Sequence, residues 1–257
     1  MRSRTFKTEV SKLYWSRYLS RKGEAALANF LINKSRIVPF VYSRHVSYVE
    51  FARLKKRQPI YINLIRNPVD RFVSLFHFLR SNRRKLKNST DTAWLKKNLT
   101  ECVLSGDAEC AMSQEYSHRR SGQNPEFFQP MTAFFCGHEP FCRRFNSRPA
   151  LQKALQNLEL RYSVVGVLET FRKSLSVFEA FVPEYFKNIG KLYDKARNKK
   201  VNQNPTHAQP PAAVKDILAR RMTSDIELYM FAKQRLHLQF KRIWPRPQRR
   251  LASSTAV

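Results

Sequence analysis

The stretch Pro59-Ile-Tyr-Ile-Asn-Leu-Ile-Arg66-Asn-Pro-Val-Asp-Arg-Phe-Val-Ser74 predicts a strand, a tight turn and a helix in direct succession. Its apolar run from Ile60 to Ile65 is rich in β-branched and aromatic residues, which is typical of a buried strand. We expect a helix to start directly after the turn, because Asn67 can cap free backbone amides and Pro68 suits a first helical position. Asp70 in the first turn complements the helix dipole.

Apolar residues then recur at helical spacing, so one side of this helix is expected to pack and the other to stay polar. The stripe consists of Val69, Phe72, Val73, Phe76 and Leu79. The order of strand, turn and helix places Arg66 and Ser74 beside a cluster of free backbone amides, which is a ready-made phosphate site. The alternative interpretation is that Arg66 only pairs with a neighbouring carboxylate.

The net charge is the outlying feature of the composition. The chain of 257 residues is long enough to bury one full core, and its 48 Lys and Arg against 19 acidic residues give a formal charge of +29. Such a field attracts polyanions, but its sign alone does not separate nucleic acid, an anionic membrane and a sulfated polysaccharide. The basic residues are spread along the whole chain without a zinc-finger or RNA-binding signature, which argues against nucleic acid.

The cysteines and the N-glycosylation sequons indicate the cellular compartment in which the protein folds. The four cysteines fall in two close pairs, Cys102 with Cys110 and Cys136 with Cys142. N-glycosylation sequons begin at Asn33, Asn88 and Asn98. Neither cysteine pair has the C-x-x-C spacing of zinc or redox sites, and close pairs together with sequons favour an oxidising lumenal compartment. Against this, the chain contains no apolar signal region and no apolar run long enough to cross a bilayer.

The segment Ile65-Arg-Asn-Pro-Val-Asp-Arg-Phe-Val-Ser74 resembles the 3′-phosphate-binding segment of the Golgi uronyl and heparan sulfate 2-O-sulfotransferases, which act on glycosaminoglycans. The resemblance implies that Arg66 and Ser74 hold the 3′-phosphate of the sulfo donor PAPS (3′-phosphoadenosine 5′-phosphosulfate), which leaves as PAP. It implies an α/β fold like that of P-loop nucleotide-binding proteins, with a central parallel sheet flanked by helices. Family disulfides at matching places imply the pairs Cys102–Cys110 and Cys136–Cys142.

The segment Tyr42-Ser-Arg-His-Val-Ser-Tyr-Val-Glu-Phe51 resembles the catalytic segment of the same family. Sulfo transfer requires the acceptor hydroxyl to lose its proton as it attacks, and a histidine suits that task. The resemblance assigns this catalytic role to His45. Some family members carry a second histidine two residues earlier, where this chain has Ser43. The alternative is that His45 is an ordinary loop residue after a short strand.

The N-terminus matches the family less closely. Ser3, Arg4 and Thr5 resemble the tail of the phosphate loop that holds the 5′-phosphosulfate in family members. The lysine and the preceding strand of that loop are missing, and Arg2 stands where glycine is expected. The alternative is that these residues form a frayed terminus that caps the next helix.

Two further groups are implied to contact ligands. Tyr193 matches a family tyrosine near the adenosine, and Lys199 lies where a basic loop closes over the donor; the alternative for this region is a solvated linker. The basic run beyond the central helix contains Arg80, Arg83 and Arg84, whose guanidinium groups suit the sulfate and carboxylate groups of an acceptor. The alternative for this run is a solvated helix face.

Hydrophobic periodicity predicts the other elements. We expect a helix from Thr8 to about Ile32 and a short strand over Phe40–Tyr42. A second strand, Tyr162–Val167, precedes another helix, and repeated strand-to-helix units are typical of a parallel sheet. A capping box at Ser224 predicts the start of the last helix, which extends to about Lys241.

The resemblance implies transfer of a sulfo group from PAPS to the 2-hydroxyl of a uronic acid in a glycosaminoglycan, without a metal. The alternative is a non-catalytic protein that binds polyanions on a degenerate sulfotransferase fold. We expect a catalytic domain over residues 1–245 and a disordered basic tail over 246–257. The resemblance implies a type II membrane protein of the Golgi lumen whose anchor precedes this chain, with a sulfated glycosaminoglycan and not nucleic acid as its partner. Self-association stays open.

Overall fold

The computed structural model describes residues 7–10, 17–36, 39–86, 92–112, 128–196 and 209–243, with the backbone alone at 7–10 and 82–86. Within these residues the chain forms four strands and twelve α-helices. The strands are β1 (Lys7–Val10), β2 (Phe40–Ser43), β3 (Tyr61–Ile65) and β4 (Tyr162–Val167). The helices are α1 (Arg21–Ser35), α2 (Pro68–Leu86), α3 (Thr92–Lys96), α4 (Leu99–Leu104), α5 (Ala108–Ala111), α6 (Met131–Cys136), α7 (Arg148–Arg161), α8 (Phe171–Phe181), α9 (Pro183–Phe186), α10 (Ile189–Ala196), α11 (Ala212–Arg221) and α12 (Thr223–Ile243).

Strands β3 and β4 lie side by side and run parallel, as predicted. Their register runs from Tyr61 opposite Tyr162 to Ile65 opposite Val167. Strands β1 and β2 form a second parallel pair. Because parallel strands point the same way, the turns that follow β3 and β4 lie at the same edge of their sheet, where ligands of α/β proteins commonly bind.

Helix α2 begins as the sequence predicts. Pro68 is its first residue, and Asn67 Oδ1 accepts hydrogen bonds from the amides of Val69 at 3.0 Å and Asp70 at 3.3 Å. Four residues of the predicted stripe are at most 5 % exposed: Val69, Phe72, Val73 and Phe76. Burial of each such side chain contributes about 1.5–3 kcal/mol, so this stripe fixes the helix and the turn before it.

One face of β3 is open among the described residues, which corrects the prediction of a buried strand. Tyr61 and Ile65 face the buried core, whereas Ile62 is 36 % and Leu64 is 41 % exposed. Apolar side chains occupy both faces of this strand, so the sequence shows no period-two alternation from which one-sided burial could be predicted.

The first helix is shorter than predicted. Lys7–Val10 form β1, so the prediction of a helix from Thr8 is wrong at its start. Helix α1 begins at Arg21, where the Ser20 hydroxyl accepts a hydrogen bond from the amide of Gly23 at 3.2 Å. The pairing of β1 with β2 supplies backbone hydrogen bonds that local periodicity does not reveal.

Helix α8 is fixed to β4 by a buried serine. The Ser174 hydroxyl accepts a hydrogen bond from the amide of Val167 at 2.8 Å and donates one to the carbonyl of the same residue at 2.9 Å. A Cβ atom at Gly166 would lie 2.8 Å from the Phe178 ring and 3.0 Å from Ser174. Only glycine therefore allows this close approach of helix and strand.

Three buried clusters hold the described elements together. The largest lies among β4, α6, α7 and α12, the second among α2, α4 and α11, and the third between α1 and the loop after β2. Both predicted disulfides are formed: Cys102–Cys110 and Cys136–Cys142. The first joins α4 to α5 and the second closes the turn after α6, so each links neighbouring elements locally.

Helix α12 is confirmed, but the capping box predicted at Ser224 is wrong. Ser224 lies inside the helix, and Glu227 pairs with Arg148 on α7 at 2.8 Å. Asp225 instead caps α6, because its carboxylate accepts hydrogen bonds from the amides of the first two residues of that helix at 2.8 Å each. A carboxylate in that position complements the positive end of the helix dipole.

Candidate donor and base site

His45 stands at the apex of a tight turn directly after β2. The amide of Val46 donates a hydrogen bond to the carbonyl of Arg44 at 3.0 Å, which closes a three-residue γ-turn around the histidine. The imidazole is exposed, and it has no hydrogen-bond or ion-pair partner among the described residues. An exposed imidazole without a partner is available to take a proton from a bound hydroxyl.

The backbone directly behind His45 is rigidly anchored. Residues 47–49 are at most 4 % exposed. The amide of Ser47 donates to the carbonyl of Arg17 at 3.0 Å, and the amide of Tyr48 donates to the carbonyl of Phe134 at 2.9 Å. The imidazole is therefore solvent-facing on a backbone that the core holds in place.

Arg66 and Ser74 flank the start of α2. Arg66 directly follows β3, and its half-buried guanidinium has no hydrogen bond or ion pair to the residues that the structure describes. Ser74 lies about two turns into α2, is half-buried, and its hydroxyl is unpaired within the same part of the chain. The structure thus offers no carboxylate partner for Arg66 in the described residues, and it leaves a positive charge beside the amino end of a helix.

Glu169 ties the turns after β3 and β4 together. One carboxylate oxygen accepts a hydrogen bond from the amide of Asn67 at 2.8 Å, and the other accepts one from the Tyr229 hydroxyl at 3.2 Å. Burial, and then the charge of Glu169, raise the pKa of Tyr229 to about 12, so the phenol stays a donor. Sequence reasoning missed this role of Glu169. The available signal was its place directly after the second of two parallel strands.

A further arginine of α2, Arg71, faces the protein interior. Its Nη1 atom donates to the carbonyl of Gln129 at 2.9 Å, and its guanidinium carbon lies 4.7 Å from the centre of the Phe128 ring. Burial lowers the pKa of Arg71, although the nearby charge of Asp225 acts in the opposite direction. Sequence reasoning also missed this residue. Its place in the segment between Arg66 and Ser74 was the feature of the sequence that could have indicated a role.

A family model described as the sulfotransferase family matches residues 25–232 of the chain. The chain belongs to the sulfotransferase family. This confirms the resemblance on which the two central segments were interpreted.

Several curated relatives of this sulfotransferase-family chain have names that state a 2-sulfotransferase activity. The uronyl 2-sulfotransferase homolog pip of Drosophila melanogaster is 35% identical over 219 residues, which are 80% of this chain and 42% of that protein. The uronyl 2-sulfotransferase of Homo sapiens is 30% identical over 210 residues, 78% of this chain and 48% of that protein. The heparan sulfate 2-O-sulfotransferase 1 of Gallus gallus is 33% identical over 207 residues, 76% of this chain and 52% of that protein. The chain thus spans about half the length of these relatives.

Arg80 is a structural residue of this sulfotransferase-family chain, which corrects the prediction that it contacts an acceptor. It is 4 % exposed, and its Nη2 atom donates to both carboxylate oxygens of Glu109 at 3.0 and 2.9 Å. Its guanidinium carbon lies 3.4 Å from the centre of the Phe76 ring and 4.3 Å from that of Trp94. A guanidinium enclosed in this way does not reach a polysaccharide at the surface.

Tyr193 lies on α10, where its ring packs against the first residue of α8. The ring centres of Tyr193 and Phe171 are 4.9 Å apart, and Arg172 forms an ion pair with Asp194 beside them. The place of Tyr193 near the adenosine stays a prediction.

The remaining predicted site residues fall into two groups. Ser3, Arg4, Thr5, Lys199 and Asn88 lie outside the described residues, as does the predicted tail. Arg83 and Arg84 lie on α2, where the backbone alone is described.

The sequons at Asn33 and Asn98 lie at exposed positions. Asn33 is within α1, whereas Asn98 caps α4. The Asn98 Oδ1 atom accepts hydrogen bonds from the amides of Thr100 at 2.8 Å and Glu101 at 3.2 Å. No helix among the described residues has the length and apolar character needed to cross a membrane.

His138 is buried and has a structural partner. Its Nδ1 atom accepts a hydrogen bond from the amide of Leu19 at 3.0 Å, and its Nε2 atom lies 3.8 Å from a carboxylate oxygen of Glu24. Burial, followed by the charge of Arg143, lowers the pKa of His138 to about 4. The imidazole is therefore neutral near pH 7 and joins the segment before α1 to the loop after α6.

Proposed function

We propose that this protein transfers a sulfo group from PAPS to the 2-hydroxyl of a uronic acid residue in a glycosaminoglycan. The observation that carries the proposal is the guanidinium of Arg66 at the capped start of α2, which has no partner among the described residues, in a chain of the sulfotransferase family. The names of the relatives, which act on uronyl residues and on heparan sulfate, supply the acceptor class.

The donor binds at the carboxyl edge of β3 and β4. Arg66 and Ser74 hold the 3′-phosphate, since a guanidinium and a hydroxyl beside a helix amino end suit a phosphate group. Tyr193 lies against the adenosine, Ser3, Arg4 and Thr5 contact the 5′-phosphosulfate, and Lys199 belongs to a basic loop that closes over the donor. The half-buried setting of Arg66 supports this assignment, because partial desolvation strengthens its attraction for an anion.

The base is His45. As the acceptor oxygen attacks sulfur, the bond between sulfur and the bridging oxygen of the 5′-phosphate breaks, and its electron pair leaves with PAP. The hydroxyl proton passes to an imidazole nitrogen of His45. The exposed imidazole supports this role, and positive charge around the site offsets charge on the transferring sulfo group.

The acceptor is a sulfated glycosaminoglycan that binds through arginines of the basic run, among them Arg83 and Arg84. A net charge of +29 supports a polyanionic partner. The protein works in the Golgi lumen, held by a membrane anchor that precedes this chain, with glycans at its sequons. The two disulfides support an oxidising compartment.

The test is transfer of radiolabelled sulfate from PAPS to desulfated heparin, dermatan and chondroitin by the purified full chain. The proposal expects label at the 2-position of uronic acid in the digested product. Tight heparin binding without transfer, in a preparation that is folded and disulfide-bonded, would instead support a non-catalytic polyanion-binding protein.

A further inference from the structure

We propose that a hydrogen-bonded series, Ser47–Gln129–Arg71, sets the position of His45 relative to the donor helix α2. Gln129 and Ser47 are then positioning residues of the transfer reaction. The inference rests on the proposed function, because it assumes that His45 is the base and that α2 carries the donor. The series runs from the loop behind the histidine to the first turn of that helix.

The first link joins the histidine loop to the segment before α6. The Nε2 atom of Gln129 donates to the Ser47 hydroxyl at 3.1 Å. Ser47 is 1 % exposed and Gln129 is 5 % exposed, so neither side chain can exchange this bond for one to water. Loss of either partner leaves the other buried without its bond, which costs about 1–3 kcal/mol.

The second link joins the same segment to α2. The carbonyl of Gln129 accepts from Arg71 Nη1 at 2.9 Å, and the guanidinium packs over the Phe128 ring. The Arg71 amide donates to the carbonyl of Asn67 at 2.8 Å, which places Arg71 in the turn that also caps the helix. Two hydrogen bonds in series therefore connect the loop of His45 to the amino end of α2.

The segment between the two links is itself immobilised. Asp225 holds the amides of Met131 and Thr132 at 2.8 Å each, and the Thr132 hydroxyl donates to the same carboxylate at 2.6 Å. Asp225 is 3 % exposed. Gln129 is thus anchored from α12 on one side while it contacts Ser47 and Arg71 on the other.

The polar character of this series is the argument for a positioning role. The backbone of the histidine loop already has its own anchors, since the amides of Ser47 and Tyr48 bond to the carbonyls of Arg17 and Phe134. Apolar side chains could fill the same buried space without desolvating polar groups. A hydrogen bond is directional, so it fixes both the distance and the angle between the two groups that it joins. A base that is displaced by about 1 Å lowers the rate of the reaction about 100-fold.

The first test compares Ser47→Ala and Gln129→Met, which remove the same bond from opposite sides. Each change is expected to lower kcat about 10- to 100-fold, while KM for PAPS and Kd for PAP stay within about twofold. The double variant is expected to be no worse than either single variant, because both remove one interaction. The active fraction is measured by PAP-binding stoichiometry, which separates misplacement from partial unfolding.

The matched control is Gln239→Met. Gln239 is 6 % exposed, and its Nε2 atom donates at 2.9 Å to the carbonyl of Ser163, which lies at the end of β4 opposite the turn with Glu169. This change removes one side-chain hydrogen bond of a buried glutamine and is expected to lower the melting temperature with kcat unchanged. Should Gln239→Met reduce kcat as much as Gln129→Met does, general destabilisation explains the loss and the positioning role is refuted.

Other outcomes also decide the question. Single variants whose kcat stays within twofold of the wild type overturn the inference but leave the proposed function intact. The same holds for a double variant that loses the product of the two single effects. A wild-type protein that neither binds PAP nor transfers sulfate overturns the proposed function itself, and the inference falls with it.

Discussion

The carboxylate of Glu169 accepts a hydrogen bond from the backbone amide of Asn67, so one side chain joins the turns that follow the two parallel strands. Asn67 in turn caps α2 through its own side chain. The residue that directly follows Arg66 is therefore held from both sides, and the direction in which Arg66 leaves the sheet is fixed before any anion binds.

Replacing Glu169 tests this link. Glu169→Ala is expected to lower the free energy of unfolding by about 1.5–3 kcal/mol, because a bond to a charged acceptor is lost, and to weaken PAP binding. Glu169→Gln keeps an acceptor for the Asn67 amide and is expected to lose less. Chemical denaturation measures the change in stability, and calorimetry measures the change in PAP binding.

Glu159→Ala, which removes an exposed ion pair with Arg235, serves as the control for Glu169→Ala, with an expected loss of stability below about 1 kcal/mol. Equal losses for the Ala and Gln variants at position 169 would contradict the link.

Replacing His45 tests the base. His45→Ala is expected to lower the rate of sulfate transfer by about 10²- to 10⁴-fold and to leave PAP affinity nearly unchanged, because the imidazole forms no hydrogen bond or ion pair that holds the described part of the fold together. The control is Ser43→Ala, an exposed neighbour that is expected to retain the wild-type rate. Transfer at the normal rate by His45→Ala would remove this residue from the mechanism.

Replacing Arg66 tests the 3′-phosphate site. Arg66→Ala is expected to weaken PAP binding about 10- to 100-fold, which corresponds to the loss of charge-assisted hydrogen bonds. Arg57→Ala removes an exposed arginine in the turn before β3, at the opposite end of that strand, and is expected to bind PAP normally. Unchanged affinity of the Arg66 variant in calorimetry would place the phosphate elsewhere.

Arg80 is expected to matter for stability and not for acceptor binding. Arg80→Ala leaves the buried carboxylate of Glu109 without its main partner, so the free energy of unfolding is expected to fall by about 3–5 kcal/mol. Arg83→Ala and Arg84→Ala are expected to cost little stability and to weaken binding to a heparin column. The assignment of Arg80 to the interior fails if its variant is as stable as the wild type but elutes from heparin at lower salt.

The buried His138 predicts a pH dependence of stability. Its pKa is about 4 in the folded protein against an ordinary 6.5, so the unfolded chain takes up a proton that the folded chain excludes between these values. The stability contributed by the neutral imidazole is therefore complete above about pH 6.5 and is lost as the pH falls towards 4, by at most about 3 kcal/mol.

His138→Asn tests this dependence, because asparagine keeps an acceptor for the Leu19 amide but does not titrate. The melting temperature of this variant is expected to fall less than that of the wild type between pH 6.5 and 4. The raised pKa of Glu24, caused mainly by its burial, acts in the opposite direction in both proteins. Parallel pH profiles for variant and wild type would show that His138 does not titrate in this window.

The central segment could be predicted because its signals are local. A cap at Asn67, a proline at the first helical position and an apolar stripe lie within a few residues of one another, and each acts through contacts with near neighbours in sequence. The two disulfides followed from the family resemblance and close short loops.

Other features depend on partners far apart in sequence. The charge run that contains Arg80 is typical of a solvated helix face, but Glu109 and Trp94 enclose this one guanidinium after the chain has folded back. Asp225 caps a helix that begins more than ninety residues earlier in the chain. Neither pairing leaves a periodic pattern, so single-sequence reasoning has no signal for it.

The cap at Asn98 affects how carbohydrate at that sequon should be studied. A sugar would be joined to Nδ2, which leaves Oδ1 free to hold the first amides of α4. Exchanging the asparagine removes the attachment point and the helix start together, so any weakening of the protein would be wrongly credited to the missing sugar. Thr100→Ala abolishes the sequon while keeping the backbone amide that Asn98 binds, and it separates the two effects.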